Sequence, residues 1–272
     1  MLKLSANISL LFGERPFLER FQAAAQAGFT AVEAMYPYDQ RIEDMARELR
    51  AHGLTQSVIN LPPGNAAAAE KGLAALPGRE RDFDASLELG LAYAQGLQCK
   101  RVHLLTGNLP DGMTLQDVRP LLARNVERAV RHFEPHGIVV LLEPLSLQML
   151  PRYSLPRVED AIALIQDIGS PFLRLQLDLY HTQMEQGNLA ALIERHLPHI
   201  DYVQIAGVPG RHEPTVGEIN YAYLLDLLQR HGFQGWVGCE YIPAGDTLQG
   251  LRWARDWGLL PQRRPRDQGV QA

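Results

Sequence analysis

Residues 138–178 read IVVLLEPLSLQMLPRYSLPRVEDAIALIQDIGSPFLRLQLD. The stretch opens on an apolar, β-branched run, 138–143, that closes in Glu143, the pattern of a buried parallel strand. Over 157–168, Val158, Ile162, Ile165 and Ile168 recur with helical spacing and form one stripe. Pro156 stands where a first helical turn tolerates a missing N–H, and Gly169 where a left-handed C-terminal cap belongs. A second strand, 173–178, then ends in Asp178. This is one βαβ unit, and both of its strands end on an acid.

Outward from it the same unit repeats. Strands are predicted at 4–9, 30–36, 54–60 and 100–106 before it, and at 200–206 and 235–241 after it. Helical patterns occupy 16–27, 40–52, 80–97, 116–136, 186–197, 220–231 and 247–257. Pro16 is placed like Pro156, and Gly28, Gly53, Gly137 and Gly232 like Gly169. Eight units in a row predict an α/β chain folded as a single (β/α)8 TIM barrel over residues 1–260. An open doubly wound sheet is the alternative, but no G-x-G-x-x-G follows the first strand, so no dinucleotide site is expected. The segment 61–79, rich in Ala, Gly and Pro, reads either as a lid over the site or as a tolerated insertion.

Composition excludes several function classes. The 272 residues carry 26 Lys+Arg against 31 Asp+Glu, a net charge of −5, so a nucleic-acid backbone is not the expected partner. The one basic cluster, Arg263, Arg264 and Arg266, lies among Pro261, Pro265 and Gly269 and reads as a frayed, flexible tail over 261–272. Cys99 and Cys239 form no C-x-x-C and no disulfide framework, so two half-buried thiols in a reducing, cytoplasmic setting are expected. No stretch approaches the ~18 apolar residues of a membrane span, and no signal-peptide pattern opens the chain. A membrane is therefore not an expected partner. For oligomeric state only a base rate applies, and it favours a dimer.

A barrel places its chemistry at the C-terminal ends of its strands. Strand five ends in Glu143, strand six in Asp178 and strand eight in Glu240, while strand seven carries Gln204 in DYVQIAG. Carboxylates crowded into a low-dielectric mouth repel by several kcal/mol unless protons or a cation intervene. Oxygen-only ligands point to Mg or Mn as that cation. Gln204 is the weakest of the four as a ligand, and a bridge to a neighbouring strand is its other reading. A single acid at a strand end usually bonds a loop N–H; four polar residues on successive strands favour a shared site.

Longer motifs carry a resemblance. GFTAVEAMYPYD, NLPPGN, LLEP, LQLDLYHTQMEQGNL, VQIAGVPGRHEP, GEINY and GCEYIPAGDTLQGL resemble the hydroxypyruvate isomerase family, within the xylose-isomerase-like barrels. The resemblance runs from about residue 3 to residue 257. It implies metal ligands at Glu143, Asp178, Gln204 and Glu240, with Glu143 and Glu240 as an acid–base pair. Related sugar epimerases carry His in place of Gln204, so the amide favours the isomerase branch. The chain departs from the family at Ser146, where Asn is frequent, and at Ala244, where some members have Arg.

The implied reaction interconverts hydroxypyruvate and tartronate semialdehyde through an enediolate, with one carboxylate removing a proton and an acid returning it to the adjacent carbon. The substrate's carboxylate calls for a cation, and Arg211 in PGRHEP is the first candidate. His181 is expected to meet a substrate oxygen. Glu33 and His103 face either the mouth or the interior layers; His212 and Glu213 are weaker candidates, the latter as a support for Arg211. The neighbouring readings are an isomerase of a longer 2-oxo acid such as 2-oxo-tetronate, a ketose 3-epimerase, and a catalytically idle barrel that binds a sugar acid. An AP endonuclease of the same barrel group calls for metal-binding histidines and a basic rim, which the carboxylates and negative balance do not suggest. Trp236, Trp253 and Trp257 read as packing residues, and Cys239, adjacent to Glu240, is turned away from the interior by alternation.

Overall fold

The computed structural model describes residues 1–262. Eight parallel strands close on themselves in chain order: β1 Lys3–Asn7, β2 Ala31–Ala34, β3 Thr55–Asn60, β4 Arg101–His103, β5 Val139–Leu142, β6 Leu173–Asp178, β7 Ile200–Ile205 and β8 Trp236–Cys239. The helices are α1 Glu19–Ala27, α2 Ile42–His52, α3 Glu80–Gly96, α4 Leu115–Phe133, α5 Val158–Ile168, α6 Leu179–Glu185, α7 Leu189–His196, α8 Tyr221–Arg230, α9 Thr247–Gly250 and α10 Arg252–Asp256. No described helix is long and apolar enough to cross a membrane. The predicted single barrel is the fold observed.

The core divides as a barrel's must. One large cluster fills the shell between strands and helices; it includes Leu142, Leu175, Val203 and Cys239. A small one, Val58, Leu141 and Tyr202, fills the inside of the barrel. Alternation sends neighbouring residues of one strand to opposite clusters. Above the interior apolar layer the inward positions turn polar, and that change positions the site.

Several local expectations are corrected. Pro16 and Pro156 precede α1 and α5 rather than opening them, since those helices start at Glu19 and Val158. The helix expected over 186–197 is α7, which begins after Asn188; before it stands an unexpected helix, α6, which follows β6 directly and is capped by the Asp178 side chain, accepting from the Tyr180 N–H at 2.7 Å. The pattern over 247–257 is split into α9 and α10. Both thiols are fully buried, not half-buried. Trp253 and Trp257 pack edge-to-face with centroids 5.2 Å apart. Beyond Gln262 the expected tail and its arginines lie outside the described residues.

Candidate active site

Strand register gathers the polar residues. Asn7 lies beside Glu33, Asp178 beside Gln204, and Gln204 beside Gly238, whose missing side chain leaves room for the Glu33 carboxyl. Glu143 and Glu240 stand one residue past the ends of β5 and β8. All four carboxyl groups are withdrawn from solvent: Glu33 is 1% exposed, Asp178 1%, Glu143 4% and Glu240 8%.

Amides stitch them together. The Gln176 Nε2 donates to Glu143 Oε2 at 2.9 Å and to Gln204 Oε1 at 2.8 Å. The Gln204 Nε2 in turn donates to Glu240 Oε2 and, at 3.3 Å, to Glu33 Oε2. Asn7 Nδ2 donates to Glu240 Oε2 at 3.2 Å, and the Tyr202 hydroxyl to Glu33 Oε2 at 2.7 Å. Gln204 thus bridges to its neighbours, the second of its two sequence readings.

Burial and crowding favour the protonated forms of the three glutamates. Burial, then Glu240, pushes Glu33 up to about 8. Burial pushes Glu240 up to about 7 against the pull of Arg211. Glu143 is raised well above the usual carboxylate range by burial, then by Glu240 and Asp178. Burial acts oppositely on the imidazoles, lowering His103 to about 3 and His181 to about 4, so both are neutral. The Ser146 N–H donates to His181 Nδ1 at 3.3 Å, which leaves the ring proton on Nε2, 3.8 Å from Asp178 Oδ2. His103 places Nδ1 3.3 Å from Glu143 Oε2, yet neither of its ring nitrogens has a hydrogen-bond partner.

Arg211 is the counter-charge. Its Nη2 donates to Glu240 Oε1 at 2.6 Å and reaches Asp178 Oδ2 at 3.5 Å, with the guanidinium 5.1 Å from the centre of the Tyr180 ring. Its backbone sits at φ 55°, a left-handed conformation that costs an arginine energy. The conformation is clamped: the Arg211 N–H donates to the Gly207 carbonyl at 2.7 Å, and its own carbonyl accepts from the Ile242 N–H at 2.8 Å. Glu213, expected from sequence to support Arg211, instead accepts from the Ala244 N–H at 3.3 Å, and His212 faces the Ile242 carbonyl. For Arg211→Ala, a loss of roughly 1–3 kcal/mol in stability is expected at pH 8, where the parent's Glu240 is ionised against Arg211 and the variant's is pushed back towards its protonated form. At pH 6, below the Glu240 value, the loss shrinks; denaturant unfolding at the two pH values checks this.

A cavity of about 260 Å³ opens over Glu143 and Glu240. Its wall includes His103, His181 and Arg211 and also Tyr36, Asn60 and Lys71, three residues the sequence reading did not single out. The segment 61–79 supplies part of that wall. Its second half is fixed: Leu73, Ala74 and Ala75 are buried, the Ala75 N–H donates to the Thr106 carbonyl at 2.7 Å, and Asn125 Nδ2 to the Ala74 carbonyl at 2.8 Å. Exposed positions lie to either side, at Asn65 and 67–69 in the tip and at Pro77 and Gly78 before α3.

The model of a known family, the xylose isomerase-like TIM barrel, matches residues 21–257. The chain belongs to that family. It is 40% identical to a 2-oxo-tetronate isomerase of Cupriavidus necator, over 94% of this chain and 99% of that one. It is also 40% identical to a hydroxypyruvate isomerase of Escherichia coli, over 93% and 98%. Among solved structures it resembles one from Brucella melitensis named as an AP endonuclease, family 2, with a TM-score of 0.91, 43% identity and coverage of 94% and 99%. With these curated relatives, this family member is an isomerase.

Within this xylose isomerase-like site, Glu143, Asp178 and His181 each bring one donor atom within a common 4.8 Å. The Nε2 proton makes His181 a hydrogen-bond donor rather than a ligand in this arrangement. Gln204 Oε1 is turned to Gln176, and Glu240 to Arg211, Asn7 and Gln204. At the two departures, the Ser146 N–H donates to His181 while its hydroxyl accepts from the Gln148 N–H at 3.2 Å, and the Ala244 N–H donates to Glu213. Gln176 and Asn7 were missed by the sequence reading, although each lies on an inward strand position, Gln176 two residues before Asp178.

Proposed function

We propose that this isomerase moves a proton between adjacent carbons of a small 2-oxo acid, interconverting hydroxypyruvate and 2-hydroxy-3-oxopropanoate, with the aid of a divalent Mg or Mn ion. The observation that carries the reading is Glu143 and Glu240 facing one small cavity, both buried, with Glu240 pushed up to about 7 and Glu143 raised well above the usual carboxylate range. An acid with such a pKa both accepts and returns a proton in the physiological range. The names of the relatives at 40% identity support the substrate class.

The donor set fits a hard divalent ion: buried carboxyl and amide oxygens, with more acid than Arg211 alone neutralises. Glu143, Asp178, Gln204 and Glu240 are the residues proposed to hold it. When bound, such an ion supplies Lewis-acid polarisation of the substrate's carbonyl oxygen. The chain's own groups do the rest. One of Glu143 and Glu240 removes the proton from carbon, the other delivers one to the next carbon, and the substrate's hydroxyl proton passes to the former carbonyl oxygen. His181 Nε2–H and the unpartnered ring of His103 supply hydrogen bonds to substrate oxygens, and Arg211 a positive charge beside them. The cavity wall shields the carbanionic stage from bulk water.

A four-carbon acid, 2-oxo-tetronate, is the second reading, favoured by the Cupriavidus relative and by the polar residues Tyr36 and Asn60 beyond the carboxylates. The endonuclease name of the Brucella relative is not extended to this chain, since the site is built of acids and amides and the chain's charge is −5. The test is NMR in D2O with added Mg or Mn, supplying either acid. Deuterium entry and product from hydroxypyruvate are expected. Turnover of the four-carbon acid alone would move the assignment to it, and binding without exchange of either would establish an idle barrel.

A further inference from the structure

We propose that Lys71 binds the carboxylate of the substrate and so selects 2-oxo acids; this rests on the function proposed above and deepens it. The sequence points to Arg211 for that role, but the structure engages Arg211 with Glu240 at 2.6 Å and Asp178 at 3.5 Å. Lys71 is the other cation in the cavity wall. Among the described residues it makes no ion pair. Its neighbour Glu70 does not neutralise it, because Glu70 pairs with Arg79 and accepts from the Asn65 N–H at 2.6 Å.

The backbone that carries Lys71 is held against the barrel. The next residue, Gly72, bridges to Thr106 just past β4, and its N–H donates to the Pro63 carbonyl at 2.8 Å. Gly72 has φ 118°, and a Cβ there would collide with the Leu105 carbonyl, so this position accepts glycine alone. The close approach fixes Lys71 at the end of the strand that also presents His103. An ammonium on a flexible stem, in the wall of the cavity that Glu143 and Glu240 also line, complements an anionic group of a ligand held there. A 2-oxo acid whose reacting carbons lie at Glu143 and Glu240 meets that description.

The test compares Lys71→Met, which keeps length and loses charge, with Lys71→Arg, which keeps charge. With hydroxypyruvate, K71M is expected to raise KM about 10- to 100-fold, the worth of one charge-assisted contact. Its kcat should be unchanged, because the contact is the same in the ground and transition states. K71R should restore KM to near the starting value, and the KM of the parent protein should rise with salt more steeply than that of K71M. An unchanged KM in K71M, or equal impairment in both variants, overturns the assignment while leaving the reaction intact. Absence of turnover of any 2-oxo acid by the parent protein overturns the functional reading and this assignment with it.

Discussion

Replacing Glu240 by Gln is expected to lower kcat for proton exchange by about 10³-fold, within the range a positioned acid–base group supplies, while leaving the barrel folded. The side chain lies against the cavity and keeps its volume in the variant. Its Oε1 accepts from Arg211, a contact the amide oxygen preserves. Its Oε2 accepts from Asn7 and Gln204, and there the amide NH₂ meets donors. Both of those side chains must turn, at a cost of about 1–3 kcal/mol for each mispaired buried group. Against this, a neutral amide removes a buried acid that burial already disfavours in its charged form. Stability therefore falls by no more than a few kcal/mol, roughly the cost of the mispaired groups, while the proton carrier is gone. The measurement is deuterium exchange into hydroxypyruvate, with thermal unfolding as control. A folded variant that exchanges at the original rate would remove Glu240 from the chemistry.

Glu240 was legible in the sequence because alternation and the C-terminal rule act locally: an acid after an apolar run, next to an outward cysteine, has one direction to face. The same logic placed Glu143 and Asp178 in the barrel mouth and gave all eight strands. It did not reveal Gln176 or Asn7, since a polar residue within a strand looks like an ordinary interruption until the register shows which others share its layer. The α6 helix escaped for a different reason. LYHTQME has no apolar stripe, and its start is set by Asp178 capping the Tyr180 N–H, a contact that exists only after β6 is in place. Lys71 lies in a segment without periodicity, and its position depends on Gly72 meeting Thr106, some thirty residues onward.

Chelation is expected to abolish exchange, and to leave a protein whose melting temperature falls as pH rises from about 6.5 to 8. Glu33 and Glu240 have folded values of about 8 and about 7, above the ordinary glutamate value of 4.5. Between those limits the folded state keeps protons that the unfolded chain releases, so their stabilising contribution is present at low pH and is lost as pH climbs through the folded values. His103 and His181 have values of about 3 and about 4, below 6.5, so their contribution is present above 6.5 and is lost on acidification. They therefore add no slope inside the chosen window. Each acid still protonated in the fold contributes about 1.4 kcal/mol per pH unit. Glu33 alone then accounts for roughly 2 kcal/mol between pH 6.5 and 8, or roughly 4–8 °C in a chain of this size. A divalent ion competes with the proton on Glu240 for the same oxygens, so added Mg or Mn should raise the melting temperature more at pH 8 than at 6.5. Glu240→Gln, with one titrating acid removed, should show a shallower fall than the parent protein. Scanning calorimetry at the two pH values, with chelator and with metal, decides the matter. A metal effect that is equal at both would show that the ion does not displace protons from this cluster, and full exchange activity in chelator would end the metal reading altogether.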